Sequence, residues 1–485
     1  MHPVLGKTLR WLALALCGAL VLGLLFLVAR IALYRQADDP VHLAAKRDYL
    51  DRIAGITGGS PAGPNIVLIL FDDLGYGDLG VYGSGPIRTP RIDALAAGGV
   101  FFRNAYSASP YCSGSRAGLL TGRHALRSGM DHVVQAPWTS RDLLLRLGWR
   151  NRRLPAEEIT LPEILSAAGY ATGMFGKWHL GDESPSLPND RGFDTFHGLL
   201  FSNDQGEPVF WKDREIVEAH PIDQTTLTRR YTERAVAFIE ENRERRFFLY
   251  LPQTFPHVPL HASAERRGGS AGGLYGDVVE ELDWSVGVVL DALERNGLSG
   301  ETLVVVTSDN GPWFQGSAGG VRGRKLGVFE GGMRVPFIAS WPGRIPAERS
   351  SEDLVVALDI LPTVLELAGL PLPFDRVIDG RSLVELLDGS GPGPRDVVYY
   401  HQIDKLRAVR SGDFKYHDRH GVFYGNPMDW SWGPMKQRGP WLFDLASDPD
   451  ESYDVSELHP AVTRELRGRM ETWRRELRAN PRGWR

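Results

Sequence analysis

Cysteine is nearly absent. The 485 residues hold only Cys17 and Cys112. Cys17 lies in an apolar N-terminal run, so no disulfide can form within the soluble part. A chain without that staple rests on its own core, and a composition of 42% hydrophobic and 24% charged residues is that of a globular protein. An excess of one charge sign is missing too. With 55 basic and 60 acidic residues the net charge is −5, which gives no footing for nucleic acid as a partner. There is no solenoid repeat, no low-complexity block and no charge run long enough to make a tail. The length suits one large domain with an appendage, or two to three domains.

One long hydrophobic run is present. Trp11 to Ala29 carries no charge and is bounded by Arg10 and Arg30. Such a helix reaches roughly 28 Å, close to the hydrocarbon thickness of a bilayer. Lys7 and Arg10 before it favour a cytoplasmic N-terminus. Ala13-Leu14-Ala15 sits too early in the run for a signal-peptidase site, so the reading is an uncleaved signal anchor over 1–35. A cleaved signal peptide and a secreted protein are the alternative. In both cases the globular part lies outside the cytoplasm, in a periplasmic or cell-surface setting. Oxidising compartments favour disulfides, so their avoidance there makes Cys112 conspicuous.

A polar helix and a linker of Gly, Ser and Pro fill 36–64. Apolar β-type runs then alternate with helical stretches, the pattern of an α/β fold with a largely parallel sheet. "IVLIL" (66–70), "FFLYL" (247–251) and "LVVVT" (303–307) read as strands buried on both faces. This unit is expected to span 65–378. Shorter β-like pieces and a terminal helix predict a smaller C-terminal α+β domain over 379–485.

Polar residues gather where the apolar runs end. "IVLILF" leads into Asp72-Asp73, "LVVVTS" into Asp309-Asn310, "ATGMFG" into Lys177 and His179, and "FFLYLPQTFP" to His257. Singly these are turn formers, helix caps or solvated side chains. Jointly they matter, because the carboxyl ends of parallel strands share one edge, where ligands bind. Three carboxylates and one amide carbonyl make an all-oxygen set suited to Ca²⁺, and less to Mg²⁺; zinc would want His or Cys beside Asp309. Cys112 precedes "SGSRAGLLTGR", the first turns of a helix, with Arg116 one turn on. A helix N-terminus lowers a thiol's pKa, so a plain catalytic cysteine is also open, although no thiol-hydrolase pattern accompanies it.

"CSGSRAGLLTGR" closely resembles the sulfatase signature C-x-P-S-R-x-x-x-L-T-G-R. "GKWHLG", "PNDRGFDTFHG", "FPHVPLH", "TSDNG" and "FEGGMRVPFIASWPG" resemble further sulfatase motifs in the family's order. The resemblance implies an alkaline-phosphatase-like fold, hydrolysis of sulfate esters, and Cys112 converted by a formylglycine-generating enzyme to formylglycine, whose hydrate is the nucleophile. It places Asp72, Asp73, Asp309, Asn310 and modified Cys112 around Ca²⁺, and Arg116 and Lys177 on the hydrate with His179 beside them. His257 and Lys325 fall on sulfate and the leaving oxygen. The expected partner is a small-molecule or glycan sulfate ester.

Two positions depart from the pattern. Gly114 stands where the family has Pro or Ala, and Arg324 where it has Gly. The first weakens the segment for the modifying enzyme; the second reshapes the substrate mouth or is merely solvated. Stretches 201–215 and 429–441 are expected to line that mouth. Two other readings share the residues: a phosphate ester or phosphonate hydrolase on the same fold, and an inactive binding protein whose Cys112 stays a thiol.

Overall fold

The computed structural model describes residues 3–148, 150–421 and 437–485. Ten strands form the main sheet: β1 (Asn65–Phe71), β2 (Val100–Tyr106), β3 (Ala171–Lys177), β4 (Thr195–Leu199), β5 (Phe210–Lys212), β6 (Glu215–Glu218), β7 (Phe247–Pro252), β8 (Thr302–Ser308), β9 (Phe337–Ser340) and β10 (Arg349–Val356). Their order is β10-β2-β9-β8-β1-β7-β3-β4-β5-β6. β8, β1, β7, β3 and β4 run parallel as neighbours. β9 enters antiparallel between β8 and β2, and β5 and β6 close the far edge antiparallel.

The apolar runs form strands because both sheet faces are covered, and every residue of β1, β3, β7 and β8 is buried. Alternation along β1 divides them: Ile66, Leu68 and Leu70 enter one core, Val67, Ile69 and Phe71 the other. Helices Leu161–Ala167 and Ile360–Leu367 cover the first face, Leu227–Glu241 and Gly273–Arg295 the second. Truncating one of these leucines to alanine costs about 2–5 kcal/mol through lost burial and the cavity left behind.

A second sheet of four antiparallel strands is built from Val397–Gln402, Lys405–Ser411, Phe414–His417 and Trp441–Asp444. Its outer face takes Leu466, Met470 and Trp473 of the helix Pro460–Ala479. Val398, Tyr400 and Ala408 point the other way and join the main core, so the sheet is welded to the larger unit. At the N-terminus, the helix Pro3–Ala32 contains a segment, Arg10–Ala32, long and apolar enough to cross a membrane.

Candidate active site

Parallel pairing aligns the strand ends. Phe71 is level with Ser308, and Leu70 with Pro252, so Asp72-Asp73, Asp309-Asn310 and the segment leading to His257 emerge side by side. Lys177 ends β3, two strands from β1. Cys112 arrives after β2 as the first residue of the helix Cys112–Thr121. Tyr111 before it is extended, and Gly122 closes the helix in the left-handed region. The helix is buried throughout because small residues let it approach: a Cβ on Gly118 would lie 2.5 Å from the Cβ of Ala108.

These ends converge as the strand pattern predicts. The Lys177 Nζ donates to Asp72 Oδ2 at 2.5 Å, and Lys325 Nζ lies 2.6 Å from Asp73 Oδ1. Arg116 Nε donates to Asp309 Oδ2 at 3.0 Å, and its Nη1 to the Lys177 carbonyl at 2.6 Å. Asn310 Nδ2 donates to Asp73 Oδ1 at 2.8 Å, while its Oδ1 is buried without a hydrogen-bond partner. Lys325 Nζ donates to Cys112 Sγ at 3.2 Å, and the thiol faces Asp72 Oδ1 at 3.5 Å. All ten sequence-predicted residues are buried. Ligand atoms of Asp72, Asp73, Cys112 and His257 lie within 4.8 Å of one another.

Both histidines have tautomers fixed by backbone. His257 Nδ1 meets the Val258 carbonyl at 2.6 Å and must donate to it, which leaves a lone pair on Nε2, 3.8 Å from Asp73 Oδ2. His179 Nε2 meets the Val134 carbonyl at 3.0 Å, so the lone pair sits on Nδ1, which is buried and unpartnered. Burial first, then the charges of Lys177 and Arg116, hold His179 well below the ordinary imidazole range. Burial and the neighbouring Asp72 push Asp309 up to about 7, whereas Lys177, His257 and Arg116 overcome burial to hold Asp72 well down. Asp73, His179 and Leu326 (beside Lys325) have φ of 67, 63 and 75°, a strained backbone for residues with side chains.

The Cys112 thiol is not primed: burial raises its pKa more than Lys177 and Lys325 lower it. Arg324 is half-buried and is not merely solvated. Its Nη1 donates to the carbonyls of Trp313 (2.6 Å) and Gly316 (2.7 Å), bracing that turn from within. Gly114 has a local reason. A Cβ there would lie 2.7 Å from Ser109 Oγ and 2.8 Å from the Met130 carbonyl.

Ser202 escaped the sequence reading. Its Oγ accepts from Lys177 Nζ at 2.9 Å and lies 3.3 Å from His257 Nε2. It follows β4, a strand-end position readable in the sequence, but its meeting with Lys177 depends on β4 lying beside β3. Beyond Ser202 the stretch 201–215 divides: buried Asn203 donates to the Pro259 carbonyl at 3.1 Å, two residues from His257, while 210–212 and 215 belong to the edge strands β5 and β6. Most of 429–441 lies outside the described residues.

A family model described as Sulfatase matches residues 64–370, and one described as N-sulphoglucosamine sulphohydrolase, C-terminal, matches residues 324–476. Arylsulfatase A of Bos taurus is 38% identical over 448 residues, covering 83% of this chain and 85% of its own. N-acetylgalactosamine-6-sulfatase of Canis lupus familiaris is 40% identical over 385 residues, 74% of this chain and 72% of its own. The solved structure of the PsFucS1 sulfatase from Pseudoalteromonas sp. superposes with a TM-score of 0.77 at 27% identity, over 92% of this chain and 96% of that one. Matched along most of its length in sequence and in fold, with converging polar strand ends where the motifs required them, the chain belongs to the sulfatase family and is a sulfuric ester hydrolase.

Proposed function

We propose that the chain cleaves sulfate esters of glycans or small alcohols with a formylglycine made from Cys112 by a formylglycine-generating enzyme, beside a bound Ca²⁺. The observation that carries this reading is the setting of Cys112. A buried thiol held protonated among three carboxylates and three cations is a poor thiolate nucleophile, yet its position is the centre of the cluster. Converted to a hydrated aldehyde, residue 112 would supply a hydroxyl nucleophile there.

The donor set fits Ca²⁺. Asp72, Asp73 and Asp309 offer buried carboxylate oxygens, and the unpartnered Oδ1 of Asn310 is a fourth hard donor. Burial and the adjacent Asp72 push Asp309 up to about 7, so an added cation would favour its charged, metal-binding form. These four residues and modified residue 112 would hold the ion, which would add positive charge for the ester oxygens.

The remaining side chains have distinct tasks. Lys325 and Lys177 present ammonium groups to an anionic ester, Lys325 next to the nucleophile position and Lys177 braced by Asp72 and Ser202. Arg116, fixed by Asp309 and the Lys177 carbonyl, orients the hydrate. His257 Nε2, once protonated, donates to the departing alcohol oxygen. His179 is neutral with its Nδ1 lone pair free, the state of a base that takes a proton from the second hydroxyl.

We read 1–35 as a membrane anchor, 36–64 as the connecting helix and linker, 65–378 as the catalytic unit and 379–485 as the smaller one. The anchor reading places the catalytic unit outside the cytoplasm. Peptide mass spectrometry across Cys112, on protein from its own host, tests the central claim. A formylglycine mass establishes the nucleophile; an alkylatable thiol in all molecules sinks it. For the metal, EGTA should abolish activity reversibly and lower Tm by about 4 °C, with Ca²⁺ restoring both.

A further inference from the structure

The anchor helix does not lead into a slack tether. Two residues beyond Ala32, Tyr34 is already buried, its hydroxyl donating to the Arg150 carbonyl at 2.6 Å. Gln36 Oε1 accepts from the Arg152 and Arg153 amides at 2.8 and 3.2 Å, and its Nε2 donates to the Arg153 carbonyl at 3.0 Å. Asp38 takes both terminal nitrogens of Arg153, at 2.9 and 2.6 Å. Two extended residues span about 7 Å, so whatever packs on Tyr34 sits within a headgroup's thickness of the span's end.

What packs there is turned inside out. In the short helix Ser140–Leu147, Asp142 is fully buried, tied to Arg146 and Arg152, while Leu144 is 55% exposed. Trp138 just before it is 68% exposed, and Leu33 is 74% exposed. The Arg146 guanidinium lies between the rings of Trp138 (4.8 Å) and Tyr34 (5.9 Å), which ties this face to the end of the anchor. A cleft of about 480 Å³ opens beside them, lined in part by Tyr34, Trp138, Arg146 and Arg35. Arg35 is exposed and makes no ion pair among the described residues. Scattered surface leucines need no explanation. An acid inside, a leucine outside and an exposed tryptophan beside a membrane span together match the bilayer interface, where indole rings and arginines settle at headgroup depth.

We propose that Leu33, Trp138 and the helix Ser140–Leu147 form a membrane-resting face that enters the phospholipid headgroup layer, with Arg35 meeting lipid phosphate. The catalytic unit then stands on the bilayer at a fixed attitude instead of swinging from a tether. This rests on the anchor reading of the N-terminal helix.

The test uses the full chain in phosphatidylcholine–phosphatidylglycerol vesicles, in a Cys17→Ser background. Nitroxide labels are placed one at a time through Leu144→Cys, Ile216→Cys on the remote edge strand, and Leu20→Cys within the span. Collision with dissolved oxygen reports lipid, and with an aqueous nickel chelate reports water. The expected pattern is a several-fold lower nickel collision rate at 144 than at 216, with 20 the richest in oxygen. Equal nickel access at 144 and 216, with 20 still in lipid, overturns the resting face and leaves the anchor intact. Nickel access at 20 overturns both.

Discussion

The loop that carries Lys325 runs between two buried clusters of charge, and they are built to opposite ends. On one side Asp72, Asp73 and Asp309 face Arg116, Lys177 and Lys325. On the other, Glu330 and Glu451 share Lys415 at 2.9 and 3.1 Å, His417 meets Glu451 at 2.7 Å, and Tyr106 donates to Glu330 at 2.7 Å. In the second cluster no side-chain nitrogen or oxygen of Glu330, Glu451, Lys415 or His417 lacks a partner. In the first, Asn310 Oδ1 and His179 Nδ1 are left over. Left-handed backbone does not separate the two, since Glu451 (φ 55°) shares it with Asp73 and His179, and at the edge of the second cluster only the Tyr400 hydroxyl, beside Lys415, lacks a partner among the described residues. Burial alone therefore does not mark function. A cluster that satisfies itself fastens the C-terminal sheet to the core; one that leaves polar atoms idle is waiting for something to bind or react.

The contrast can be broken at four points. Cys112→Ala should lower kcat by at least about 10⁴-fold while Tm stays within about 2 °C; retained turnover would remove residue 112 from the chemistry. Lys415→Met should do the reverse. It strands two buried glutamates, costing about 3–5 kcal/mol of stability by denaturant melts, with kcat of the folded protein within tenfold of wild type. Lys325→Ala lies between them in sequence but belongs with the first, so steady-state kinetics should show kcat/KM lower by about 10²–10³-fold, with a smaller Tm loss than Lys415→Met because Asp73 keeps its bond from Asn310.

The smallest effect is in pH. Burial and the nearby charge of Glu330 push Glu451 up to about 7, from 4.5 in the unfolded chain. The folded state thus binds the extra proton between those values, and its stability falls as pH rises through that window. Glu451→Gln should flatten that slope, by about 1–3 kcal/mol between pH 4.5 and 7. An unchanged slope in Tm against pH would assign the titration elsewhere.

Much of this was legible in the sequence. Continuous apolar runs ending in polar residues identify buried parallel strands, and parallel strands deliver their ends to one edge; this was enough to bring Asp72, Asp309, Lys177 and His257 together before any coordinates. What stayed hidden depends on neighbours from elsewhere in the chain. Arg324 reads as an exposed cation until the Trp313 and Gly316 carbonyls are seen around it. The thiol of Cys112 reads as activated until its burial is known, because the helix terminus is local and desolvation is not. Ser202 required knowing that β4 lies next to β3.

Gly114 has a consequence for how this sequence can change. The space that a side chain would need is filled by Ser109 and by the Met130 carbonyl, which comes from a loop outside the signature. Pro or Ala at 114 would collide with both, so the family's usual residue cannot return by one substitution without loss of fit. The loop around Met130 must move as well. A variant with a single change back to the family residue should therefore be less stable than this protein, and its descendants are held to glycine by a neighbour rather than by chemistry.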